Sequence, residues 1–212
     1  MIPPLEIRDL GADLDFQATW DFQEDLVRQR RAGEINDTLL LLEHAPVYTI
    51  GRTRDRTSLR DPGLLPHPVV EINRGGQATF HGPGQLVGYA ILDLAQREKD
   101  LHHHLRNLEE VLIRALATFD ITATRREGLT GVWVDQRKIA SLGVGVRSWV
   151  TLHGFALNVQ AISLPPFQAI TPCGLDGVSM TSAEDECGRP VAMAEMKAAI
   201  SAAMQDVFAS AH

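Results

Sequence analysis

Cys173 lies in Thr171-Pro172-Cys173-Gly174-Leu175, between a residue that stiffens the chain and one that leaves space beside the thiol. That setting suits an oriented nucleophile, because proline restricts φ and glycine carries no Cβ. It suits a small buried residue equally well, which is the commoner fate of a free cysteine. The second cysteine, Cys187, has Asp185 and Glu186 beside it, and their charges oppose a thiolate. Cys173 is therefore the better nucleophile. Lys138 opens the otherwise apolar run Lys138-Ile139-Ala140-Ser141-Leu142-Gly143. A lysine among apolar neighbours loses hydration. Placed next to a cysteine, its ammonium stabilises a thiolate, or its amine accepts the thiol proton. A surface lysine at a strand end is the plain alternative.

Two further stretches could contact a ligand. Arg74-Gly75-Gly76-Gln77-Ala78-Thr79-Phe80-His81-Gly82-Pro83-Gly84-Gln85 places Arg, Thr and His between closely spaced glycines. It matches neither GxxxxGK[ST] nor GxGxxG, so a phosphate cradle is poorly supported. A tight turn between strands would use the same glycines. In Leu152-His153-Gly154-Phe155-Ala156, His153 reads as a core or supporting histidine. Gly154 and Ala156 are small enough to floor a narrow apolar slot. His102, His103 and His104 are consecutive on a predicted helix. They splay at roughly 100° per residue and cannot converge on one ion, so all three are expected in solvent. No CxxC or HExxH pattern occurs, and neither a metal nor a cofactor is expected.

The elements that must hold these residues alternate. Helical periodicity covers 15–31, 101–119 and 190–208. The middle one carries Leu101, Leu105, Leu108, Leu112 and Leu116 on one stripe. Strand-like runs fall at 38–43, 47–50, 68–72, 86–94, 121–124, 131–134, 138–147 and 149–159, with loops at 51–62 and 160–180. The pattern predicts α/β or α+β: one main mixed β-sheet flanked by helices, in a single domain spanning 1–212.

The chain has 212 residues, 44% of them hydrophobic and 22% charged, with a net charge of −7. These values exclude a disordered or fibrous chain and disfavour non-specific nucleic-acid binding. No 18-residue apolar run and no cationic-then-apolar leader is present, so a cytoplasmic location with reduced thiols is expected.

Taken in order, LLEHAPVYTIGR (41–52), RGGQATFHGPGQLVGYAILDL (74–94), GVWVDQRKIASLGVGV (131–146), LHGFALNV (152–159) and ITPCGL (170–175) resemble the lipoyl(octanoyl) transferase family. The likeness spans about two thirds of the chain. It implies the mixed-sheet fold of biotin and lipoate protein ligases. It also implies transfer of an octanoyl group from an acyl carrier protein to Cys173, and then to a lysine ε-amine. The acceptors would be lipoyl domains of 2-oxoacid dehydrogenase complexes and the glycine cleavage H protein. Lys138 falls on the family's nucleophile-activating lysine. The family's substrate contacts fall on Arg74, Gly75, Gly76, Gln77, Ala78, Thr79, Phe80, His81, Ser141, Leu142, Gly143, Gly154, Phe155 and Ala156. Backbone near Gly82 or Leu142 could supply oxyanion donors. Arg52, Arg54, Arg56 and Arg60, with Arg74, could dock an acidic carrier protein. A cysteine hydrolase using Cys173 with His81 or His153 is a second reading. A binding module without chemistry is a third.

Overall fold

The computed structural model describes residues 5–51, 56–72, 77–174 and 177–209, with the backbone alone at Cys173 and Ala209. In chain order it contains β1 (Glu6–Leu14), α1 (Phe16–Ala32), β2 (Thr38–His44), β3 (Val47–Ile50), β4 (Val69–Glu71), β5 (Thr79–His81) and β6 (Gln85–Ile91). There follow α2 (Leu101–Ala117), β7 (Thr124–Arg126), β8 (Leu129–Val134), β9 (Arg137–Arg147), β10 (Val150–Asn158), α3 (Ala183–Cys187) and α4 (Met193–Ala209).

Seven strands form the main sheet in the order β1-β2-β6-β10-β9-β8-β7. Only β1 and β2 pair in parallel; the other neighbours are antiparallel, so the sheet is mixed as expected. The leucine run in β2 shows why. Leu39 and Leu41 enter the core under α2 and α4, while Leu40 and Leu42 enter the core under α1. A strand covered on both faces needs apolar residues at every position rather than alternate ones. The leucine stripe of α2 is buried from Leu108 to Leu116 against this sheet.

Helix ends follow their chemistry. Asp15 caps α1 by accepting from the Ala18 N–H, and Gly33 closes it in the left-handed region at φ 75°. Asp100 caps α2 through the His102 and His103 N–H groups.

Several expectations need correction. Beside the main sheet, β4-β3-β5 forms a separate three-stranded sheet. Its strand β5 lies inside the glycine-dense run. β1 was not foreseen, because register shifts around Gly11 break its alternation. The strand expected at 121–124 begins only at Thr124. α3, capped by the Ser182 hydroxyl, was also missed.

His104 is not in solvent. It is 2% exposed, its ring packs 5.8 Å from Phe208 of α4, and neither ring nitrogen has a hydrogen-bond partner among the described residues. His102 and His103 are exposed as expected. Beside His104, Asp37 is wholly buried between Arg30 (2.8 Å) and Arg97 (2.8 Å). Arg97 also donates to the Phe208 carbonyl at 2.8 Å, which fastens the end of α4 to the start of β2.

No helix among the described residues is long and apolar enough to cross a membrane.

Burial, and then the nearby Arg97 charge, lower the His104 pKa from 6.5 to about 4. The unfolded chain therefore binds this proton first as pH falls. Stability is full above pH 6.5 and is lost progressively toward pH 4. For a ring this buried, the loss amounts to about 2 kcal/mol by pH 4.5. Urea melts at pH 7 and 4.5 should show that His104→Leu loses less stability over this interval than the parent protein, by roughly that amount.

Candidate active site

Lys138 is the second residue of β9 yet is only 2% exposed. A buried amino group needs partners, and here they come from β8. Nζ donates to the Thr130 carbonyl at 3.1 Å and stands 5.3 Å over the Trp133 ring. Gly131, between those two residues, has φ 141°, and a Cβ there would lie 2.6 Å from the lysine Cε and 3.1 Å from Nζ. Glycine is required both for the backbone angle and for the space. The register slips between Val132 and Trp133, a bulge that re-aims the strand beside Lys138. Glu109 of α2 holds this bend. Its fully buried carboxylate accepts from the Gly131 N–H at 3.0 Å and from Arg106 and Arg125 at 2.6 and 3.2 Å.

Lys138 opens onto a cavity of about 400 Å³, within the range of small-ligand sites. Among the expected contact residues, Gln77, Thr79, His81, Ser141, Leu142, Gly143, Gly154, Phe155 and Ala156 line it. Ala78 and Phe80 do not. They alternate with Thr79 and His81 along the chain and face the core behind the small sheet, with Tyr48 and Phe167. Arg74, Gly75 and Gly76 lie outside the described residues. The Thr79 hydroxyl is buried in the wall without a hydrogen-bond partner among the described residues. Sequence reasoning missed the apolar contribution of Leu101, Leu105, Leu129 and Val144. The first two begin the α2 leucine stripe, and that stripe was the signal that could have found them.

Close approaches shape the wall. The Phe155 ring lies over Gly88, where a Cβ would come within 2.1 Å of it. A Cβ on Gly154 would meet the Gly88 carbonyl at 2.3 Å. His153 also lines the cavity, at φ 62°, with its N–H donating to Gln23 Oε1 at 2.8 Å. It is buried, as the sequence reading favoured. Behind the wall, His44 Nδ1 lies 3.1 Å from the Leu14 carbonyl and Nε2 lies 2.7 Å from the Tyr89 hydroxyl. A carbonyl only accepts, so the ring hydrogen is on Nδ1, and the Tyr89 hydroxyl donates to Nε2. Burial holds the His44 pKa down at about 4, so the ring is neutral near pH 7.

The Cys173 backbone lies in a single turn, Pro172–Gly174; its side chain lies outside the described part. The flanks of that turn are fixed. Thr171 N–H donates to the Ser58 carbonyl at 2.8 Å. The Ser58 hydroxyl donates to Gln77 Oε1 at 2.9 Å and accepts from the Ala78 N–H at 3.1 Å. Gly174 packs on Gln77, since a Cβ there would lie 2.7 Å from the Gln77 Cγ. Farther on, the Lys138 N–H donates to the Ser179 carbonyl at 2.9 Å, and the Thr181 N–H donates to the Lys138 carbonyl at 3.0 Å. The cysteine turn is thus bracketed by ties to the cavity wall on one side and to the lysine strand on the other.

Two arginines of the arginine-rich loop lie among the described residues. Arg60 donates to the Gln168 carbonyl at 2.8 Å and to Thr171 Oγ1 at 3.4 Å. Arg56 pairs with Glu71 at 2.6 Å. Arg60 therefore clamps the chain leading to Cys173. Arg52 and Arg54 lie outside the described residues. Cys187 is half-buried, with Sγ 3.4 Å from the Arg189 carbonyl. Among the described residues no group of three His, Cys, Asp or Glu side chains could hold a metal ion.

This sheet-and-helix frame is that of the lipoate and biotin protein ligases. A bipartite lipoate protein ligase from Thermoplasma acidophilum, studied with its E2 lipoyl domain, superposes with a TM-score of 0.70 at 16% identity, covering 97% of this chain and 85% of that one. Biotin protein ligase from Aquifex aeolicus gives 0.54 at 13% identity, covering 98% and 69%. At these identities the likeness concerns the fold. The chain belongs to the lipoyl protein ligase A/B catalytic domain family, whose model matches residues 15–205. Within that family it groups with the octanoyltransferases, which are acyltransferases. The octanoyltransferase of Geobacter metallireducens is 53% identical over 194 residues, 92% of this chain and 89% of the relative.

Gly131→Ala should push the lysine Cε and Nζ away from the Thr130 carbonyl. We expect octanoyl transfer to fall roughly tenfold or more, as misplacement of a reacting group commonly costs. Steady-state assay, with circular dichroism to show an intact fold, checks this.

Proposed function

We propose that the protein transfers an octanoyl group from an acyl carrier protein to the Cys173 thiol, and from there to the ε-amine of a lysine on a lipoyl domain. The 2-oxoacid dehydrogenase complexes and the glycine cleavage H protein would carry those domains. Residues 1–212 act as one catalytic unit in the cytoplasm. The observation that carries this reading is the buried Lys138 amino group, held at a cavity whose wall residue Gln77 packs directly on the turn that bears Cys173.

The chemistry follows from that juxtaposition. Lys138 lowers the cost of a thiolate at Cys173, and its amine form accepts the thiol proton. The sulfur attacks the donor thioester, the carrier's C–S bond breaks, and the carrier thiol leaves with the proton taken from Cys173, so the acyl group is held on the enzyme as a second thioester of similar energy. Aminolysis by the acceptor lysine then gives an amide, which is more stable than the thioester, so the second transfer runs forward without ATP. The apolar lining from Leu101, Leu105, Leu129 and Leu142 suits an alkyl chain.

Mixing the protein with octanoyl-acyl carrier protein and reading its intact mass tests the proposal. The mass should rise by one octanoyl group, in a form released by hydroxylamine. Cys173→Ser should abolish the thiol-labile adduct, and Lys138→Ala should slow its formation at least about a hundredfold. An adduct retained in Cys173→Ser with unchanged lability would sink the reading.

A further inference from the structure

Gln85 and Asn158 are each 1% exposed. They form a chain whose direction is set by groups that can only accept. Asn158 Nδ2 donates to the Thr181 carbonyl at 3.1 Å. Its Oδ1 must then face Gln85, and it accepts from Gln85 Nε2 at 3.0 Å. The same Nε2 donates to the Phe80 carbonyl at 3.1 Å. Backbone carbonyls at both ends therefore fix both amides in one orientation. The remaining Gln85 atom, Oε1, lies 2.8 Å from Nδ1 of His81. An oxygen accepts, so the ring hydrogen must be on Nδ1. In the neutral ring Nε2 is then a lone-pair acceptor, 3.4 Å from Thr49 Oγ1. His81 shares its cavity with Lys138.

The opposite tautomer is disfavoured by the whole chain, not by one contact. With the hydrogen on Nε2, the Nδ1 lone pair would face Gln85 Oε1. Flipping the Gln85 amide to relieve that contact would turn its oxygen toward the Phe80 carbonyl and Asn158 Oδ1. Either state leaves buried acceptors facing each other.

We propose that Gln85 and Asn158 are positioning residues that hold His81 with its hydrogen on Nδ1, so that Nε2 takes the proton of the attacking lysine amine when the amide forms. The catalytic part rests on the acyl-transfer reading above; the tautomer does not. In that step the C–N bond forms and the C–S bond breaks. The sulfur leaves with the electron pair as a thiolate. The proton shed by the amine nitrogen sits on His81 Nε2 and is returned to the sulfur. The other tautomer would aim an N–H at the amine and could not accept.

Long-range proton–nitrogen correlation spectra of the 15N-labelled protein test the assignment. His81, identified by its loss in His81→Gln, should show an Nδ1–H ring. Asn158→Leu touches neither His81 nor the cavity, yet should shift the ring toward the Nε2–H form. Gln85→Met, which loses the acceptor at similar volume, should do the same. In single-turnover chase of octanoyl-enzyme with a lipoyl domain, both variants should form amide at least about tenfold more slowly, a larger loss than in their acylation by octanoyl-acyl carrier protein. An Nε2–H ring in the parent protein overturns the proposal. So does an unchanged tautomer and chase rate in folded Asn158→Leu or Gln85→Met. If the parent protein takes up no octanoyl group at all, the acyl-transfer reading fails, while the tautomer is still decided by the nitrogen shifts.

Discussion

A lysine amino group kept out of water is the constraint around which this molecule is organised. Burying such a polar group costs free energy unless it finds hydrogen-bond partners. Lys138 finds a carbonyl and an indole face, and both are presented only because β8 bends at Gly131. That bend in turn has a buried carboxylate gripping its N–H. The carboxylate is brought there by α2, whose opposite commitment is the leucine stripe packed on the sheet. The chain of causes runs from an ordinary amphipathic helix to the placing of one nitrogen atom.

The small sheet does the complementary task. Its strands present alternate residues to two different places. Thr79 and His81 face the cavity, while Ala78 and Phe80 face an apolar core of their own. A two-residue period thus separates the chemistry from its foundation. Tyr48 and Phe167 pack in that foundation. The placing of the strand sets hydrogen-bond direction, since the Gln85 and Asn158 amides are strung between backbone carbonyls on either side.

Much of the frame was legible in the sequence where one physical signal dominated. The run of leucines at 39–42 reads as a strand and the 101–119 stripe as a helix, and the structure adds that the strand is covered on both faces. Cys173 and Lys138 stood out because their neighbours are unusual for their types. The misses have equally specific reasons. β1 hides because Gly11 and Asp13 take positive φ and break its alternation. The helix capped by Ser182 is one turn and a half of acidic residues with no apolar period. Gly131 is one glycine among 17, and only its distance to a lysine singles it out. His104 has the residue type of a solvated helix start, yet α4 arrives from far along the chain to cover it. Such tertiary cover has no local signature.

The ties on either side of the cysteine turn have a mechanical consequence. The segment is pegged before the turn to Ser58 and after it to the backbone of Lys138 itself. Ser179 and Thr181 hang on the same residue whose side chain lines the cavity, so a substitution that shifts the Lys138 backbone also displaces the chain that follows the turn.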